Sequence, residues 1–141
     1  MKIRAVTCFV TIRKNDDINS IREKIQQACE VNKFISDRLE DKNWEVQTVR
    51  IVTNSFEDYC DCTNSQATFE RIQAIVNVAK ANRVFFFHIG NSRTVAGTQL
   101  LPRLLSIHPS LSACTTIDDS FDKESQELIS ACVQSICPAL P

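Results

Sequence analysis

Glycine is nearly missing from this sequence: Gly90 and Gly97 are the only two. Neither the G-x-G-x-x-G dinucleotide fingerprint nor a Walker-type phosphate loop can be built from them, which excludes both nucleotide-binding classes in their usual forms. Long apolar runs are missing too. The longest pure run, Val84 to Phe87, falls far short of the roughly 20 residues a membrane-spanning helix needs, so no membrane partner is expected. The start, Met1-Lys2-Ile3-Arg4-Ala5, leads straight into strand-like sequence without the apolar block of a secretory signal, and a cytoplasmic protein is expected. An excess of either charge is also lacking. Sixteen basic side chains face seventeen acidic ones, which leaves no electrostatic footprint for a phosphate backbone, and no nucleic-acid partner is expected.

Cysteine is plentiful, with seven residues in 141. The count is odd and the positions are spread over expected strands and helices, so they read as free thiols in a reducing compartment, acting as small apolar side chains. The length suits one domain, taken as residues 1–141.

Residues 3–12 are rich in β-branched and apolar side chains and predict a largely buried first strand. After a polar run, Ile18, Ile21, Ile25, Ala28, Ile35 and Leu39 recur at helical spacing and predict an amphipathic helix with one apolar stripe. Asp16 or Asp17 is its expected cap, and Ser20 with Glu23 offers a capping box one turn later. Residues 44–52 predict a second strand with charge on both faces, hence an edge or rim position. Thr63 with Gln66 predicts a capping box for a second helix marked by Phe69, Ile72, Ile75, Val76 and Ala79. Residues 84–89 are apolar on both alternating faces, the pattern of a central strand sandwiched between helix layers. A turn at 90–94, a short helix with Pro102 in its first turn, a fourth strand at 111–117 and a last helix around Leu128, Cys132 and Ile136 complete the chain.

Four successive strand-then-helix units imply right-handed crossovers, so the expected fold class is α/β, a mainly parallel sheet with helices packed on it. Ligands of such sheets gather beyond the carboxyl ends of the strands, which here means residues 13–17, 53–64, 90–97 and 118–120. The second of these loops is long and loaded with polar groups, which makes it the leading functional loop.

The segments Lys2-Ile3-Arg4-Ala5-Val6-Thr7, Trp44-Glu45-Val46-Gln47-Thr48-Val49-Arg50-Ile51 and Thr53-Asn54-Ser55-Phe56 resemble the N-terminal part of the family of domain of unknown function 711. The resemblance runs the whole chain. It implies a fold similar to pyruvate formate-lyase-like glycyl-radical enzymes, a barrel of two parallel half-sheets. This chain would be about one half-barrel, the N-terminal portion of a longer architecture. The family carries no catalytic set, so no functional residue is transferred.

The chemical candidates come from the strand-end loops. His88, at the end of the most apolar strand, suits a general base or ligand, against the plainer reading of a hydrogen-bonded strand-end histidine. Asp118 and Asp119 suit proton transfer or a hard cation, against simple helix capping. Asn54, Tyr59, Asn91, Ser92 and Arg93 are the ligand-binding candidates, with Arg93 placed to hold an anion together with nearby amides. Cys60 and Cys62 are the only metal candidates; they lack nearby third and fourth ligands, and Glu57, Asp58 and Asp61 disfavour their thiolates. No metal and no cofactor are expected, and the small-molecule ligand is unknown. Three functions stay open: an enzyme-like unit completed by a missing C-terminal segment or a second copy, a self-associating module without catalysis, and an anion sensor built on Arg93.

Overall fold

The computed structural model describes residues 1–120 and 122–136. Its strands are β1 (Lys2–Ile3), β2 (Val6–Val10), β3 (Glu45–Val46), β4 (Val49–Thr53), β5 (Phe86–Ser92) and β6 (Leu111–Thr115). Its helices are α1 (Ile18–Glu40), α2 (Ser65–Ala81), α3 (Val95–Leu105) and α4 (Lys123–Ile136), with a short 3-10 turn at Phe56–Asp58. Among the described residues no helix is long and apolar enough to cross a membrane.

The main sheet is parallel throughout and runs in chain order, β2-β4-β5-β6, while β1 pairs with β3 as a short extension at the amino end. Crossovers between strands that are neighbours in both sequence and space, right-handed as a rule, put α1, α2 and α3 on the same face, and α4 packs on α3. Burial agrees. Ile51, Phe87 and Leu111 stand side by side in register and are buried in a single core with Ile25, Ile72, Ile75 and Leu104. The alternate residues look the other way: Phe9 is 77% exposed and Phe86 42%, with Val52 and His88 only half-buried. Arg50 lies on this open face with its guanidinium over the Phe86 ring.

Two expectations about the sheet are therefore corrected. The second strand is an interior one, and its charged residues are accommodated because one face of the sheet is open, not because it lies at the rim. The third strand is central as expected, yet it is not sandwiched, because the apolar run spans an open face as well as a packed one.

Local signals explain most element ends. Asp17 caps α1 by accepting from Ser20 N at 2.8 Å, whereas Asp16 accepts from Arg13 N and pairs with Lys24. Asn64, not Thr63, caps α2, accepting from Ala67 N at 3.0 Å; the Thr63 hydroxyl is drawn instead to Asp61. Asp122 takes the capping role at α4, accepting from Ser125 N at 2.8 Å. The α1 stripe buries Ile21, Ile25, Ala28 and then Asn32, while Ile35 is 40% exposed.

Pro102 is not in the first turn of α3 but well inside it, because β5 continues through Gly90 to Ser92 and Thr94 caps the helix. Proline has no amide hydrogen to give the carbonyl four residues back. That carbonyl, on Thr98, accepts from Ser135 Oγ of α4 at 3.2 Å, so the packed neighbour supplies the missing donor.

Candidate functional site

The loop after β4 lies across the carboxyl end of the sheet and is part of the core as much as of the surface. Phe56 and Tyr59 are both buried, and the 3-10 turn between them packs on β5. Asn54 reaches back to Ile12, two residues past the end of β2, accepting from its N at 2.8 Å and donating to its O at 3.1 Å, so the Asn54 amide extends the pairing of the two strands. Ser55 Oγ donates to Asn91 O at 2.5 Å.

Glu57 is the hub of this rim. Its side chain is 8% exposed, and Oε1 accepts from Ser92 Oγ at 2.9 Å, Arg93 N at 3.0 Å, Thr94 N at 3.1 Å and Thr94 Oγ1 at 2.9 Å. A carboxylate thus occupies the amides of the turn just before α3, close to the helix end where the dipole favours negative charge. Arg93 is held on both sides, its Nε 3.7 Å from Glu57 Oε2 and its Nη2 hydrogen-bonded to Asp58. Burial pushes the Asp58 carboxyl up, but hydrogen bonds from Asn54 and Arg93 outweigh it and hold the group below the usual carboxylate range.

Both glycines serve this junction. A Cβ on Gly90, where φ is +82°, would sit 2.1 Å from Asn54 O; one on Gly97 would sit 1.9 Å from Glu57 Oε1. The few glycines in the chain are therefore placed where the loop touches β5 and α3. Gly90 also lies at the register shift between His88 and Asn91.

Of the ligand candidates, Asn54, Asn91, Ser92 and Arg93 come together here, and each has a partner within the protein: Asn91 Nδ2 donates to Thr116 Oγ1 at 2.7 Å. Tyr59 does not join them at the surface. Its hydroxyl lies in the core, 2.9 Å from Thr53 Oγ1 and 3.3 Å from Ile89 O, and burial pushes its pKa up.

His88 lies on the open face in register with Val52 and Ser112; its Nδ1 accepts from Gly90 N at 2.9 Å, which places the proton of the neutral ring on Nε2. Burial lowers its pKa. Asp118 and Asp119 line a cleft of about 560 Å³ with Arg93, Asp122, Glu124 and Leu128. Cys60 and Cys62 are thiols with pKa values pushed up to about 12 and about 11, by burial first. Among the described residues no group of three or more His, Cys, Asp or Glu side chains is placed to hold a metal.

Three residues matter more than their sequence context announces. Glu57 is one. Arg71 is another, donating through Nη2 to the carbonyls of Arg13, Lys14 and Asp16 and so clamping the loop after β2. Asn32 is the third, a polar residue in the buried stripe of α1. The only sequence signal for Asn32 is its place on the repeat that runs through Ile21, Ile25 and Ala28.

These features define a class: a parallel α/β layer wound in one direction, with helices on one face and a polar loop rim at the carboxyl end of its strands. The chain belongs to the family Uncharacterised ACR (DUF711), whose model matches residues 1–126. No curated protein and no solved structure matches it.

Proposed function

We propose that this chain works by association: a second copy covers the open face of the sheet, and the carboxyl rim, once enclosed, forms a small-molecule site. The carrying observation is the uncovered face itself. Parallel sheets occur almost only with both faces covered, and here Phe9 and Phe86 stand exposed beside half-buried Val52 and His88. A formal net charge of −1 does little to oppose association. Two such layers face to face would give the barrel of half-sheets that the family resemblance implies. In a longer family architecture, further polypeptide takes the place of the second copy.

The cleft beside Asp118 and Asp119 is acidic, so the reading favours a ligand with a cationic or hydrogen-donating group there. An anion sensor on Arg93 has less support, because Glu57 and Asp58 already hold the donors it would use.

Light scattering on the purified chain tests the reading. The expected mass is at least twice 15.9 kDa, falling to the monomer when Phe9→Glu and Phe86→Glu are combined. A monomer that binds a hydrophobic dye at this face would mean that other polypeptide covers it. A monomer that binds no dye would contradict the proposal.

A further inference from the structure

At the opposite end of the sheet, the C-terminal half of α1, the β3–β4 segment and the turn from Asn82 to Phe86 enclose a cavity of about 510 Å³. That is within the range of small-molecule sites. Its walls are mainly apolar, with Val49, Ile51, Val84 and Phe85 among the lining residues. Asn32 and Ser36 line it as well. They are one helical turn apart and so share a face of α1.

Asn32 is 1% exposed, and its Nδ2 donates to Arg50 O at 3.0 Å. A carbonyl can only accept, so this bond fixes which way the amide points and leaves Oδ1 as the free acceptor. Neither Asn32 Oδ1 nor Ser36 Oγ has a protein partner, although both atoms are buried. Buried polar atoms are almost always hydrogen-bonded, and the stripe of α1 has apolar residues at its other buried positions.

We infer that this cavity is a binding site for a small uncharged ring compound bearing an N–H donor, held by Asn32 Oδ1 with Ser36 Oγ alongside. A donor is required because Asn32 presents an acceptor. Charge is disfavoured at depth because the ionic residues of the lining are all exposed, Lys33 paired with Asp37 at 2.7 Å, Arg50 with its guanidinium over the Phe86 ring, and Arg83, while the wall of Asn32, Ser36 and Ile51 offers no counter-ion. Cys29, also in the lining, is held in its neutral thiol form by burial. A flat ring fits because Phe85, 75% exposed, and Phe86, its ring centroid 6.1 Å away, both line the cavity. The site lies away from the carboxyl rim, and it meets the open face only at Arg50 and Phe86.

Indole and 1-methylindole form a matched pair of probes, alike in shape but differing in the N–H. In a nuclear magnetic resonance titration of the full chain, indole should give saturable shifts at the Asn32 side-chain amide, Ser36 and Ile51. The methylated probe should bind at least tenfold more weakly. Asn32→Leu should erase that preference, and Phe85→Ala, at an exposed position that folding tolerates, should weaken both probes alike. Absence of saturable shifts at these residues with indole, or equal affinity for the two probes, would overturn the inference.

Discussion

At the carboxyl end of the sheet Glu57 Oε1 alone accepts from Ser92, Arg93 and Thr94, whereas at the amino end Asn32 Oδ1 and Ser36 Oγ are buried without a protein partner. The first region is crowded with polar residues, and apart from the buried Nε of Arg71 they bind one another. The second is lined by polar residues as well, and two of its buried polar atoms are left over. A loop rich in Asn, Ser, Glu and Asp is therefore a poor guide to ligand capacity until its internal hydrogen bonds are counted. Two unpartnered buried atoms beside a cavity can indicate more than a dozen partnered ones on a rim.

The comparison breaks most visibly at Gly90. A Cβ there meets backbone, at a φ that side chains rarely adopt, so no rotamer change relieves it. Gly90→Ala should cost roughly 3–5 kcal/mol, read as a lower urea midpoint with an unchanged slope. Glu57→Ala comes next. It strips the amides of Arg93 and Thr94 of their acceptor, and a loss of about 2–3 kcal/mol is expected. A loss under about 0.5 kcal/mol would mean that water replaces the carboxylate without difficulty, and the rim would no longer count as self-satisfied.

At the amino end the expected effect is small. Asn32→Leu removes one hydrogen bond to Arg50 O and fills the position with apolar volume, so it should cost about 1 kcal/mol or less despite complete burial. A loss as large as that of Glu57→Ala would make Asn32 a structural residue like those of the rim.

The mildest test is titration. The Asp58 carboxyl is held below its unfolded value, so its contribution is fully present above the unfolded pKa of about 3.9 and is lost as pH falls through the folded value. Wild-type chain should lose more stability between about pH 5 and pH 3 than Arg93→Ala, which has already lost the pairing. Equal slopes in the two proteins would remove the Arg93–Asp58 pair as a contributor.

Much of the fold is legible in the residues. Strand and helix alternation is written in period, so all four units and the parallel sheet can be read before any coordinates, and Asp17 is visible as a cap. Other ends were less legible. Thr63 and Asn64 are both good caps, and only the path of the chain decides between them. Pro102 looks like a first-turn residue until Ser135, from another helix, is seen to supply the donor its position lacks. Within the candidate site, Arg93 was visible as a cation at a helix start, but its partners were not. Asn32 stood on the α1 repeat, yet Ile35 competed for the same stripe, and periodicity alone could not choose between them.

By itself, the sequence determined the succession of strands and helices, the parallel direction of the sheet and the absence of glycine-rich phosphate loops, because these depend on spacing between near neighbours along the chain. Only the tertiary structure decided that one face of the sheet stays open, that Glu57 fills the start of α3, and that Asn32 faces a cavity. Those outcomes depend on contacts such as Glu57 to Ser92, 35 residues apart, and local periodicity carries no information about which distant segments meet.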